Sequence, residues 1–304
     1  VWPLIQHDIT PVFVDIDPKT LNIDPDLIES AISDKTKAIM IVPVYGNPCD
    51  MDRIMHICEK YNLQLIEDNC ESLGAYYDNK PLGSFGRVGT YSFYFSHHIS
   101  TLEGGVCVSN DFELGEMMRI IRAHGWGRET KKPQKYLDKY PDIDPRFLFV
   151  NLGYNLRLTE IQGAMGSVQL PKLKGFVESR RNSAQIMITG LSKYKSVIQF
   201  QEETPKGMHS WFGFPIIVSK KALFSTSDLR QYLELNGIET RPIICGNIAL
   251  QPAVKMYKHR VYGRLENASH VMKNGLAVAC HQSLDENACQ HIVNTISSFI
   301  DSYL

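Results

Sequence analysis

Lys37 to Asp68 reads K-A-I-M-I-V-P-V-Y-G-N-P-C-D-M-D-R-I-M-H-I-C-E-K-Y-N-L-Q-L-I-E-D, and its rhythm decides the fold. Lys37 to Val44 is a continuous apolar strand, and Gln64 to Asp68 is a second one. Between them, Met51, Ile54, Met55, Ile57 and Cys58 fall on one face of a helix over Asp50 to Tyr61. Upstream, Pro11 to Asp17 (P-V-F-V-D-I-D) reads as a strand, and Asp24 to Ile32 as a short helix entered through Asp24-Pro25. A β-α-β-α-β alternation with unbroken apolar strands predicts an α/β fold, with a mostly parallel sheet and helices on both faces. Ligands of such sheets gather at the carboxyl ends of the strands, and Asp68 falls at one of those ends.

Working outward, Thr90 to Phe95 and Gly105 to Ser109 read as strands bracketing a turn, and Glu113 to Ala123 as a helix. Thr130 to Pro145 is polar and rich in Lys and Pro, which suggests an excursion or lid loop. The helical pattern from Leu158 to Leu191 is interrupted at Pro171, so a kink or a pair of helices is predicted there. It divides the chain into a large domain, 1–170, and a smaller α+β C-terminal domain, 171–304. In the latter, strand Phe212 to Val218 and helices Ser227 to Asn236, Asn267 to Asn274 and Asn287 to Tyr303 are expected. There are no internal repeats and no low-complexity run.

Composition narrows the function classes. The formal net charge of −1 across 304 residues gives no bulk attraction to nucleic acid or to an anionic membrane. No apolar run reaches bilayer-spanning length, and a cytoplasmic protein is expected. The seven cysteines are odd in number and never spaced C-x-x-C; they read as reduced, packed thiols, with no metal site expected.

Two stretches carry chemistry: I-E-D-N-C-E-S-L-G at Ile66 to Gly74 and S-F-Y-F-S-H-H-I-S-T-L-E-G-G at Ser92 to Gly105. Taken singly, Asp68 is either a strand-end cap or a buried charge partner, and Glu71 is a loop carboxylate. Ser92 is either a pleat-face polar residue or a ligand. His97 and His98 form either a hydrogen-bonded structural turn or, for His97, an acid or base, with His98 carrying less weight. Further on stand A-H-G-W-G-R at Ala123 to Arg128, L-G-Y-N-L-R at Leu152 to Arg157, S-W-F-G-F at Ser210 to Phe214 and E-T-R-P-I-I-C-G-N at Glu239 to Asn247.

In this order and spacing, the stretches resemble the DegT/DnrJ/EryC1/StrS family of sugar aminotransferases, which have the fold-type I architecture and use pyridoxal phosphate. The resemblance runs from Asp15 to the C-terminus. It implies that Asp68 pairs with the cofactor's pyridine nitrogen, Glu71 contacts its phenolic oxygen, and Ser92 binds its phosphate. Asn155 would reach the phosphate in the neighbouring subunit of a homodimer. Arg128 and Arg157 become partners for cofactor or substrate phosphate oxygens, with surface ion pairs as the other reading; His124 becomes a second acid–base candidate and Arg241 a sugar contact. Family members also carry a further N-terminal segment, with a phosphate-cradling loop and a ring-stacking aromatic. The resemblance implies that this segment is missing here, although Trp2 lies near the position of the aromatic.

The family's lysine, five residues after the S-F serine, is here His97. Imidazole can move protons near neutral pH but cannot anchor the cofactor covalently. This substitution resembles the nucleotide-sugar 3-dehydratase subgroup, and the chain looks most like those acting on GDP-4-keto-6-deoxy-D-mannose in colitose biosynthesis. The implied cofactor is pyridoxamine or pyridoxal 5′-phosphate, held non-covalently. The implied partners are a nucleotide-linked 4-keto-6-deoxy sugar and L-glutamate. Two other readings stay open: a nucleotide-sugar 4-aminotransferase, and a lysine-less non-catalytic binding protein.

Overall fold

Strands Ala38–Ile41, Gln64–Asp68, Val88–Ser92 and Gly105–Val108 hydrogen-bond in that order into one sheet of the computed structural model, which describes residues 1–304. The first three run parallel, and the last returns antiparallel with Ser92 opposite Gly105. Register puts Asp68 beside Thr90 at the carboxyl end of the parallel strands. Helix Met51–Lys60 starts where the Asp50 side chain accepts the Arg53 N–H. It buries Met51, Ile54, Ile57 and Cys58 in one cluster with Ile39, Ile41, Leu63 and Leu65 of the sheet. The predicted β-α-β unit therefore holds, with helix ends within about a residue of those expected.

The outermost expected strand does not join this sheet. Only Val12–Phe13 is extended, and it pairs in parallel with Arg260–Val261. The buried Asp15 carboxylate explains the diversion: it accepts the Asn267 and Ala268 N–H groups, 2.9 Å each, at the start of helix Glu266–Asn274. These two charge-assisted bonds tie Asp15, and the chain just before it, to the C-terminal half of the molecule.

A second sheet is wholly antiparallel, in the order Thr240–Arg241, Gly275–Val278, Phe214–Val218 and Ile198–Phe200. Its core joins Phe214, Ile216, Leu276 and Val278 to Ala184 and Met187 of helix Leu173–Gly190. Leu229 and Leu233 of Thr226–Leu235, and Ile292, Ile296 and Phe299 of Glu286–Asp301, complete it. The helical run ahead of it divides as expected, into Glu160–Gln169, a tight turn Leu170–Lys172 around Pro171, and Leu173–Gly190. The Lys/Pro-rich stretch is irregular except for one short helix, Gln134–Leu137.

Glu67, one residue before Asp68, anchors the strand end. Its fully buried carboxylate accepts the backbone N–H groups of Gly83 at 2.6 Å, Phe85 at 2.8 Å and Gly86 at 2.6 Å. Three aligned donors offset the desolvation of the charge. Glu67→Gln turns an amide NH₂ toward the donor cluster and should destabilise the fold by about 2–3 kcal/mol in urea denaturation. An unchanged midpoint would show that the carboxylate is not the anchor.

Candidate active site

Asp68 projects from the strand end half-buried, its Oδ1 accepting the Cys70 N–H at 3.3 Å and the Thr90 hydroxyl at 3.4 Å. One turn on, the Glu71 carboxylate accepts a single backbone N–H, that of Tyr45 at 3.3 Å. Burial drives the Glu71 carboxyl up to about 7, opposed by the Tyr45 N–H and reinforced by the charge of Asp68. It therefore keeps its proton well above the usual carboxylate range. Tyr45 presents its N–H from a left-handed conformation, φ 54°, just after strand Ala38–Ile41.

The adjacent histidines are separated by their surroundings. His98 is fully buried, and its Nε2 donates to the Ser210 carbonyl at 3.0 Å. Burial pushes its titration down to about 3, so it stays neutral and structural. His97 is half-buried, with its ring 5.0 Å from that of Phe212 and edge-on to Tyr94 at 6.1 Å. Its Nδ1 is buried without a hydrogen-bond partner. Burial, and then the Arg180 charge, lower the His97 titration, while Asp68 pulls it upward. A neutral imidazole with a free nitrogen is a ready proton acceptor.

The turn that carries them is closed by Phe93 N–H on the Gly104 carbonyl and Thr101 N–H on the Phe93 carbonyl, both 2.9 Å. Gly104 at φ 147° lies where a Cβ would meet the Thr101 hydroxyl at 2.6 Å, which accounts for the paired glycines. Ser92 accepts the Tyr94 N–H at 3.2 Å, leaving its own hydroxyl proton free to donate.

A second group forms around Trp126. The Arg128 guanidinium lies 3.8 Å over the indole and that of Arg157 5.5 Å from it, with the His124 ring 4.6 Å away. Arg157 donates to Asn155 Oδ1 at 3.2 Å and approaches His124 Nε2 at 3.4 Å. Backbone pairing of Ala123 with Asn155 brings the two segments together. Four candidates thus converge. Arg241 joins neither group: it is exposed and pairs with Glu239 at 2.5 Å.

Sequence reasoning missed three participants. Tyr45 gave no signal, because its left-handed backbone is invisible in composition. Phe212 sat in S-W-F-G-F without an assigned role. Arg180, within the Leu158 to Leu191 helical pattern, carried no assigned role, yet it is 1% exposed.

The donor set suits a phosphorylated pyridine. It offers a strand-end carboxylate for a ring N–H, a carboxyl poised near neutrality, a serine proton and the orphaned His97 nitrogen. No three His, Cys, Asp or Glu side chains cluster in a way that could hold a metal ion, and no helix is long and apolar enough to cross a membrane.

A GDP-4-keto-6-deoxy-D-mannose 3-dehydratase of Yersinia pseudotuberculosis is 42% identical over 285 residues, covering 92% of this chain and 72% of that protein. A solved E. coli GDP-4-keto-6-deoxy-D-mannose-3-dehydratase with bound hydrated PLP superposes with TM-score 0.91 at 39% identity, over 97% of this chain and 76% of its own. A structure of such an enzyme with a trapped PLP-glutamate geminal diamine matches at TM-score 0.91 and 38% identity, with the same coverage. The fold is that of these fold-type I enzymes. The model of the DegT/DnrJ/EryC1/StrS aminotransferase family matches residues 2–297, and the chain belongs to that family.

Proposed function

We propose that this protein removes the C3 hydroxyl of a nucleotide-linked 4-keto-6-deoxy sugar, as a GDP-4-keto-6-deoxy-D-mannose 3-dehydratase, using non-covalently held pyridoxamine phosphate. One observation carries the reading. The position of the family's lysine holds an imidazole kept neutral by burial, with an unpartnered Nδ1. The named dehydratase relatives support the substrate, and the trapped glutamate adduct in one of them supports glutamate as the amino donor.

When bound, pyridoxamine phosphate supplies an amine for the C4 ketone and a ring that accepts electrons. Asp68 keeps a proton on the ring nitrogen, and Glu71 shares its proton with the phenolic oxygen. Ser92 donates its free hydroxyl to the phosphate. His97 takes the proton from the carbon next to the ring and returns it to the departing C3 oxygen, so that one base serves both transfers. Replacing C3–OH by C3–H is a two-electron reduction. Oxidation of glutamate to 2-oxoglutarate and ammonia supplies the electrons and takes up the oxygen, so the sum balances. Arg128, Arg157 and His124 offer cationic and hydrogen-bonding groups to the substrate; Arg241, ion-paired with Glu239 apart from both groups, would have to leave that partner to contact the sugar.

The same reading includes a homodimer. Phe147, Phe149, Leu156 and Val168 are exposed, as are Leu152 at 90% and Ile161 at 72%, a run of apolar surface with Asn155 in its midst. A second copy covering it would place Asn155 against the partner's cofactor phosphate. Separate clusters around Ile41 and around Phe214 support the division into domains 1–170 and 171–304, with a third, joining Leu21 and Tyr45 to Ile217 and Ile243, between them. The free cysteines suit a cytoplasmic setting, and the pathway is deoxysugar synthesis of the colitose type for lipopolysaccharide O-antigen.

Three outcomes follow. His97→Asn should lower dehydration by about 10²–10⁴-fold while pyridoxamine phosphate still binds, read by product analysis and cofactor fluorescence; retained turnover would remove His97 from the mechanism. Glu71 holds its proton more tightly folded than unfolded, so its contribution to stability declines as pH rises from about 4.5 to about 7. Glu71→Gln should therefore be more stable than the parent above pH ~7, by about 3 kcal/mol, and equal to it in acid, as checked by denaturation at several pH values. Leu152→Asp should shift the sedimentation coefficient to that of a monomer and weaken cofactor binding together; a monomeric parent would contradict the shared site.

A further inference from the structure

Ser210–Phe212 is held at every backbone group. The Ser210 N–H donates to the Gly46 carbonyl at 3.1 Å, and the Phe212 N–H to the Tyr45 carbonyl at 2.8 Å. The Trp211 N–H donates to His209 Nδ1 at 2.9 Å. The Ser210 carbonyl accepts from His98 at 3.0 Å, while those of Trp211 and Phe212 both accept from Arg180 Nη1 at 3.1 Å. Arg180 also donates to the Cys280 carbonyl at 2.5 Å and to Gln282 Oε1 at 3.1 Å, so all its acceptors are neutral oxygens. Arg180 thus satisfies three backbone carbonyls and one amide oxygen with a buried charge that no carboxylate neutralises, a costly arrangement that an apolar side chain could not replace without leaving those acceptors unpaired. Trp211 is moreover left-handed, φ 46°, a conformation costing about 1–2 kcal/mol that this clamp over-determines. The product of the arrangement is the placement of the Phe212 ring, 5.0 Å from His97, 5.7 Å from His98 and stacked on Tyr45 at 6.1 Å.

We infer that Arg180 is a positioning residue for the reaction: by clamping Ser210–Phe212 it seats Phe212 against His97 and fixes the orientation of that imidazole. This rests on the dehydratase reading for its chemistry, not for its geometry. The groups acting on His97 are Asp68 from the strand end, His98 and Tyr94 from its own turn, and Arg180 from the long helix. Among them only Asp68 favours the imidazolium, and burial beneath Phe212 together with the Arg180 charge opposes it. The clamp thus holds the base in place and holds it neutral.

The test uses the full chain with isotope-labelled histidine, His97→Asn assigning the resonance, and follows the His97 titration by NMR beside steady-state kinetics. Arg180→Met should raise the His97 titration by about half a unit or more and lower kcat by about 10–100-fold, with KM changed by less than about threefold. Arg180→Lys, which keeps the charge but not the fork, should hold the titration near that of the parent and recover kcat only in part. Should Arg180→Met not fold, Phe212→Leu decides: it leaves the clamp intact and should raise the His97 titration and depress kcat. A folded Arg180→Met or Phe212→Leu with parental His97 titration and parental kcat would overturn the inference. If the parent fails to remove the C3 hydroxyl yet His97 still responds to Arg180→Met, the dehydratase reading falls and the positioning role stands.

Discussion

Two backbone hydrogen bonds, from Ser210 to Gly46 and from Phe212 to Tyr45, tie the end of the parallel sheet to the antiparallel sheet beyond the Pro171 turn. They form only because Tyr45 and Trp211 both take left-handed conformations, at φ 54° and 46°. Non-glycine residues hold that geometry where the surroundings compel it, and such positions gather at functional sites. On one side of this clasp the Tyr45 N–H reaches Glu71; on the other the Phe212 ring covers His97. Glu71 and His97, the two titrating groups of the proposed mechanism, are thus both contacted from one junction.

Desolvation then assigns their roles. Glu71, buried with one N–H, keeps a proton near neutrality; His97, buried beside Arg180, loses one. A proton-bearing carboxyl and a proton-free imidazole face the same strand end, an arrangement suited to binding an anionic ring oxygen and abstracting a proton next to it. A lysine at the His97 position would have served as base and anchor together. On the proposed reading an imidazole would serve only as base, which would leave the amine form of the cofactor free to complete an elimination.

The parts legible in sequence were those written in periodicity. The apolar strands around Met51–Lys60 specified the parallel unit, and the position of Asp68 at a strand end followed. The order of Asp68, Ser92, His97 and the glycine pair carried the family likeness. Side-chain rescue of backbone groups left no such trace. Asp15 drew Val12–Phe13 away from the sheet through two N–H groups some 250 residues distant, which no local pattern encodes. Nothing in the sequence marks Arg180, because its acceptors are mostly backbone carbonyls, and carbonyls are present at every residue. His97 and His98 could not be told apart by type; the Ser210 carbonyl and a difference in burial separate them.

In the proposed reaction an unanchored proton shuttle deoxygenates the sugar rather than aminating it. Purified protein supplied with pyridoxamine phosphate, glutamate and GDP-4-keto-6-deoxy-D-mannose should yield a sugar nucleotide lighter by one oxygen atom, with 2-oxoglutarate and ammonia in equal amounts, by mass spectrometry. A product retaining its C3 oxygen and carrying nitrogen at C4 would contradict it.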